Sequence, residues 1–186
     1  MTDCSEVERW AGIMPLPDSP AVEGSRTDNV TAWEEWLRQG SFLPDVEVCL
    51  LSILARESDP VTRRLIVSAL GRLGSDHSID SLVRTLRSDV PSVRMEAAAS
   101  LGLLGSPRAV APISEAVRDP DPNVRANACM ALGRIGGREA AHLLQEALAE
   151  GDPFVRRAAE KALSILSERE PQERGTERPP PTEQAD

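Results

Sequence analysis

Asp121-Pro122-Asn123-Val124-Arg125-Ala126-Asn127-Ala128-Cys129-Met130-Ala131-Leu132-Gly133-Arg134-Ile135-Gly136 begins as a helix begins and ends as a helix ends. Asp121 is a good N-cap, and Pro122 at the first helical position has no N–H to leave unbonded. Val124, Ala128, Ala131, Leu132 and Ile135 recur at helical spacing and form one apolar stripe. Gly133 and Gly136 then permit close approach and a left-handed turn. A second, shorter helix is expected to carry Ala141, Leu144 and Leu148 inward.

The same string returns at a fixed step. Pro60, Pro91, Pro122 and Pro153 stand 31 residues apart, as do Arg63, Arg94, Arg125 and Arg156, and Leu70, Leu101, Leu132 and Leu163. Gly71, Gly102 and Gly133 keep the step. A period of this length signals stacked helical units, not one globular core. The expected fold is all-α: a right-handed α-solenoid of about four to five helix pairs.

The pattern fits 58–88, 89–119, 121–150 and, for a first helix only, 151–167, so the array is expected over 58–167. Upstream, Val48, Leu51 and Ala55 stand one period before Ile79, Leu82 and Leu86. Residues 29–40 offer a first helix, with Trp33 and Trp36 on one face and Gly40 one period before Gly71. Residues 29–57 are therefore expected to form a divergent N-terminal capping pair, because an end unit needs a different outer surface. Residues 1–28 are expected to be irregular, and 168–186 a disordered acidic, proline-rich tail. Pro112 falls inside a second helix, where it would remove a backbone hydrogen bond, so that helix is expected to start late, near Ala109.

Composition narrows the function classes. The net charge is −9, but residues 1–57 carry −7, residues 58–167 carry +1 and residues 168–186 carry −3. The array is thus nearly neutral and gives no basic stripe for phosphates. Aromatic residues make up 3% with no tyrosine, which speaks against stacking platforms for single-stranded nucleic acid. No apolar run approaches the ~18 residues that span a membrane. The first residues lack the pattern of a secretory signal. Cys4, Cys49 and Cys129 are odd in number and show no metal or disulfide spacing, which favours a reducing cytoplasm.

Asp121-Pro122-Asn123-Val124-Arg125 and Asp152-Pro153-Phe154-Val155-Arg156, with Ala131-Leu132-Gly133-Arg134-Ile135-Gly136 after the first, resemble the short HEAT-like repeats, also called the phycobilisome-lyase type. The resemblance covers 58–167 closely and 41–57 loosely. It implies first helices on a convex face and second helices on a concave one that receives partners. Such repeats occur in bilin lyases, adaptors, regulators, a hydroxylase and DNA glycosylases, so the resemblance specifies fold more than function.

With Ile79, Leu82, Val83 and Leu86 taken as buried, His77, Ser81 and Arg84 point outward, followed one unit later by Arg108, Pro112 and Glu115, and then by Glu139, Leu143 and Glu146. The expected partner surface is His77, Ser81, Arg84, Arg108, Glu115, Glu139, Leu143 and Glu146. Leu143 would anchor a partner as an apolar residue among charges. Arg84–Glu115 and Arg108–Glu139 are expected as cross-unit ion pairs. Arg63, Arg94, Arg125 and Arg156 are expected to be structural, tying units together and reaching acids such as Asp59 and Asp121.

Catalysis finds little support in this pattern. Cys49 and His142 share a column three units apart, roughly 30 Å by helix spacing. Cys129 shares its column with Val67 and Ala98 and reads as a small core residue. The histidines, His77 and His142, do not form the His-Glu pairs of the metal hydroxylases, and Lys161 is the only lysine. The expectation is a non-enzymatic, cytoplasmic scaffold or adaptor with no cofactor and no metal, binding a protein partner on its concave face, with membrane and nucleic acid disfavoured. The alternative is a bilin-lyase-like subunit holding a tetrapyrrole and an acceptor protein. Self-association through helix 153–167 is a further expectation, because Ala158, Ala162 and Leu166 would lack a following helix.

Overall fold

The computed structural model describes Cys4 and residues 46–73, 75–88 and 90–174, the side chains of 169–174 excepted. The expected helix over 29–40, the irregular segment 1–28 (Cys4 apart) and the tail beyond 174 lie outside the described residues. Eight α-helices follow one another there: α1 (Val46–Arg56), α2 (Pro60–Leu73), α3 (Ile79–Thr85), α4 (Pro91–Leu104), α5 (Val110–Ala116), α6 (Pro122–Ile135), α7 (Arg138–Ala147) and α8 (Pro153–Arg174). Short 3₁₀ turns at Asp76–Ser78 and Pro107–Ala109 lead into α3 and α5. The chain is an α-solenoid: α2, α4, α6 and α8 stack in sequence, and α3, α5 and α7 return alongside them.

Each long helix starts at the repeated proline. Asp59 Oδ2 accepts from the Thr62 N–H at 2.9 Å, Asp121 Oδ1 from the Asn123 N–H at 2.8 Å, and Asp152 Oδ1 from the Phe154 N–H at 2.8 Å. These caps satisfy donors that the first turn leaves without helical acceptors. α4 ends where Gly105 adopts φ +66°, a conformation that disfavours any side chain. α5 begins at Val110, so Pro112 sits in its first turn and costs no helical hydrogen bond, as the late start required.

The first helices meet through a seam of small residues. A Cβ built on Gly71 would lie 2.6 Å from Ser100 Cβ, one on Gly102 2.7 Å from Ala131 Cα, and one on Gly133 2.7 Å from Ala162 Cβ. The glycine step therefore sets the spacing between units. Around the seam, Val93, Ala97, Leu101, Val124, Ala128, Leu132, Val155 and Ala159 are fully buried, joined by Ile79, Leu82, Ile113 and Leu144 from the second helices. Full burial of such a leucine or isoleucine is worth about 1.5–3 kcal/mol.

Three expectations are corrected. In α1 the buried face is Val46, Cys49, Leu50, Ile53 and Leu54, whereas Val48 is 55% exposed. Val46, Leu50, Ile53 and Leu54 stand 32, not 31, residues before the buried Ser78, Leu82, Thr85 and Leu86. The extra residue is absorbed in the turn at 57–59, where Glu57 Oε1 accepts from the N–H groups of Ser58 and Asp59. Leu148, expected inside, caps α7 and is 38% exposed. The last helix does not stop at 167 but runs to Arg174, with Pro171 inside it; Ser164 Oγ donates to Glu168 Oε1 one turn on, across the expected end.

The C-terminal end is closed rather than bare. Ala162 and Leu166 are buried against the stack and Ala158 is half-buried, so the expected uncovered patch is largely filled. On the opposite side of α8 the interior columns change character. Val67, Ala98 and Cys129 are fully buried, but the next member of that column is the exposed Glu160. The seam of Gly71, Gly102 and Gly133 continues as the exposed Ser164. Leu163 is half-buried, unlike Leu70, Leu101 and Leu132, because no second helix follows α8 among the described residues.

Candidate partner-binding face

The repeated arginines form a structural clasp. Arg63, Arg94, Arg125 and Arg156 each donate from Nη1 to the backbone carbonyl six residues earlier, at 2.8, 2.9, 2.9 and 2.8 Å respectively. Those carbonyls belong to the turn left open where the preceding second helix ends, so each arginine bonds groups the helix cannot. Two clasps also reach forward. Arg94 grips Asp119 with Nε at 2.7 Å and Nη2 at 2.8 Å, and Arg125 Nη2 approaches Glu150 at 3.6 Å. These acids lie 25 residues ahead, in the next turn; Arg125 Nη2 also stands 4.0 Å from Asp152, the N-cap of the following helix, rather than reaching its own N-cap Asp121. Burial pushes the Asp119 carboxyl up, but hydrogen bonds from Arg94 and the Asp121 N–H, with the charges of Arg94 and Arg125, outweigh it and hold the group below 3.8.

The outward face of the second helices is shifted from the expected one. His77, Arg84, Arg108, Glu115, Glu139 and Glu146 are exposed, whereas Ser81 and Leu143 are only half-exposed, and Leu143 packs against the core. The outermost middle column is instead Asp80, Ala111 and His142. In the first of these units two buried hydroxyls accompany the shift. Ser78 Oγ donates to Glu47 Oε1 at 2.6 Å, and Thr85 Oγ1 donates to the Ser81 carbonyl at 2.8 Å. Satisfied in this way, both polar residues turn inward, and Val83 rotates to a half-buried position.

The cross-unit ion pairs are also different. Arg108 Nη2 meets Asp80 at 3.2 Å, Arg87 Nη2 meets Glu115 at 3.4 Å, and Arg118 Nη2 meets Glu146 at 3.8 Å. Each pair spans 28 residues and joins one second helix to the next. His142 Nδ1 adds a contact to Glu146 at 3.5 Å. Arg84, expected to pair with Glu115, instead donates to Ser81 Oγ at 2.8 Å. Pairs this exposed contribute only ~0–1 kcal/mol each, so they pattern the surface more than they stabilise it.

A cleft of about 170 Å³ opens between α1 and α3, lined by Leu51, Leu54, Ala55, Arg63, Ser81, Arg84 and Thr85. Near it, Cys49 is bonded to Cys4 across 45 residues of sequence, with Cα atoms 5.3 Å apart. That bond overturns the expectation that the cysteines do not pair, because folding brings together positions whose spacing carries no motif. Cys129 is fully buried and free; burial, with a contribution from the charge of Glu150, pushes its thiol up to about 11. Among the described residues no three His, Cys, Asp or Glu side chains converge as metal ligands, and no helix is long and apolar enough to cross a membrane.

Comparison with known proteins agrees with this geometry. HEAT repeats match residues 49–119 and 110–173. No curated protein matches the sequence. Among solved structures, the complex of CpcE and CpcF of phycocyanin lyase from Nostoc sp. PCC7120 is similar at 22% identity and a TM-score of 0.62, covering 83% of this chain and 69% of that one. Human deoxyhypusine hydroxylase in complex with glycerol is similar at 22% identity and a TM-score of 0.61, with 89% of this chain spanning 62% of that one. An engineered protein follows at 19% identity and a TM-score of 0.53, covering 88% and 80%. At these identities the likeness is one of fold. With a matched region running from 49 to 173 and the glycine seam and arginine clasp repeating through it, the chain belongs to the HEAT-repeat family.

Proposed function

We propose that the chain is a non-enzymatic adaptor that receives a protein partner on the face formed by its second helices. The observation that carries this reading is the set of cross-unit ion pairs Asp80–Arg108, Arg87–Glu115 and Arg118–Glu146. They join three short helices into one surface of alternating charge, with Arg84, Arg138 and Glu139 exposed between them. Residues 58–167 supply the face, with α1 beside its first unit. The similar phycocyanin lyase structure is itself a complex of two subunits, which supports a protein partner. Nucleic acid fits poorly, because Arg87, Arg108 and Arg118 each sit against a carboxylate.

Charge-swapping tests this directly. Asp80→Arg with Arg108→Asp, combined with Arg118→Glu and Glu146→Arg, keeps the three cross-unit pairs while reversing the charges a partner meets at two of them. The expected outcome is a protein with unchanged helicity and Tm that no longer captures the component its parent retains from native extract. Equal capture by both proteins rules out this face.

A second reading is a bilin-lyase-like subunit, favoured by the likeness to the phycocyanin lyase complex. Titration with a bilin then shifts the visible absorption spectrum; a flat difference spectrum removes it. A cytoplasmic setting for either reading requires the Cys4–Cys49 pair to be reduced there, since disulfides persist mainly in oxidising compartments. Counting thiols in denatured protein from its native source separates the cases: three when reduced, and Cys129 alone when oxidised.

A further inference from the structure

Two arginines line the cleft between α1 and α3, and neither has a carboxylate partner among the described residues. Arg87, Arg94, Arg108, Arg118 and Arg125 are all ion-paired. Arg63 and Arg84, which both line the cleft, are not paired with any acid among the described residues. Arg63 uses Nη1 alone, donating to the Leu54 carbonyl at 3.1 Å and the Glu57 carbonyl at 2.8 Å. Its Nε and Nη2, the edge with which Arg94 grips Asp119, are left over.

The repeat shows why. Arg94 and Arg125 find their acids 25 residues ahead, at Asp119 and Glu150, whereas the residue 25 ahead of Arg63 is Ser88. Ser88 makes the same local turn as Asp119: Ser88 Oγ accepts from the Val90 N–H at 3.4 Å as Asp119 Oδ1 accepts from the Asp121 N–H at 2.9 Å. A hydroxyl there keeps the turn but supplies no anion to the guanidinium. Among the described residues the nearby acids are engaged elsewhere: Glu57 with its own turn, Asp59 with Thr62 as a helix cap, and Asp80 with Arg108. The cleft lining itself contains no acid.

We propose that this cleft binds a carboxylate, and that Arg63 and Arg84 receive an aspartate or glutamate side chain of the protein partner. Planar guanidinium edges match carboxylates in a two-point fork. Leu51, Leu54 and Ala55 supply an apolar wall for the methylenes of such a side chain, and Ser81 and Thr85 complete the lining. The site deepens the adaptor reading and rests on it for the source of the carboxylate.

The test uses the full chain labelled with ¹⁵N-arginine, following the Nε–Hε signals of Arg63 and Arg84. The probes are the capped peptides acetyl-Gly-Glu-Gly-amide and acetyl-Gly-Gln-Gly-amide, and inorganic phosphate. The glutamate peptide shifts both signals saturably and the glutamine peptide does not. Ser88→Asp, which restores the acid of the later units, raises Tm and weakens peptide binding at least tenfold. Arg84→Gln weakens it without lowering Tm. Equal shifts from the two peptides, saturation by phosphate alone, or undiminished binding to Ser88→Asp would each overturn the proposal. The charge-swapped protein leaves Arg63, Arg84 and Ser88 intact. Loss of peptide binding in the parent therefore condemns the cleft, and lost capture alone concerns the wider face.

Discussion

Asp119 shows how one residue can hold two units in register. Its carboxylate takes two hydrogen bonds from Arg94 and one from the Asp121 N–H, with 12% and 8% of the Arg94 and Asp119 side chains exposed. Charge-assisted bonds of this kind contribute about 1.5–3 kcal/mol, so Asp119→Asn is expected to cost about 2 kcal/mol in urea unfolding. The sign with pH follows from the lowered carboxyl. The advantage of the parent over Asp119→Asn is full above the ordinary value of 3.8 and disappears as pH falls through the lower folded value. A gap that persists unchanged into strong acid contradicts this. Cys129 gives a second residue-scale expectation. Buried and with its thiol near 11, it resists iodoacetamide at pH 8 in the folded protein and reacts on unfolding. Rapid modification without unfolding would refute that placement.

At the scale of elements, the spacing of the stack depends on side chains that are missing. Gly102→Ala places a methyl 2.8 Å from Ala131 Cβ and is expected to cost about 2 kcal/mol. For a chain of this size that is a fall of roughly 5 °C in Tm. Gly151→Ala, which meets nothing within 4 Å, serves as the near-neutral control. Equal melting temperatures for the two variants would mean that the seam yields. The recurring Pro, Gly, Leu and Arg made these helices legible in the sequence, because each has a backbone or packing reason to recur. The arginines were recognisable as structural, but their acids were not: the partner lies 25 residues ahead, across a turn, beyond the reach of helix-spacing rules. The second-helix face was misread by one position at Ser81 and Leu143. An apolar-stripe argument counts Ser78 and Thr85 as solvent-facing, whereas hydrogen bonds let both go inside. The slip at α1 arose similarly: Leu50-Leu51 and Ile53-Leu54-Ala55 offer two overlapping stripes, and the chain buries the one 32 residues before α3.

For the whole molecule, the ends matter as much as the repeat. Glu160 and Ser164 put a charge and a hydroxyl where interior units have Val67, Ala98 or Cys129 and a glycine. An exposed polar end is what a finite array needs if copies are not to stack indefinitely. Glu160→Ala with Ser164→Gly makes that end resemble an interior one. Sedimentation velocity is expected to show concentration-dependent association beyond that of the parent; identical profiles would mean that these two residues do not guard the end. The Cys4–Cys49 bond was invisible to spacing arguments, since it depends on where the fold carries Cys4 rather than on any local pattern.

The clasp, seam and surface pairs all refer forward or backward by constant numbers of residues, which bears on how such a chain changes length. A tandem genetic duplication of codons 91–121 would insert a segment whose every long-range contact is already specified by its neighbours. Lengthening therefore needs no new interface, only a copying event, and the reach of the molecule is open to selection independently of its stability per unit.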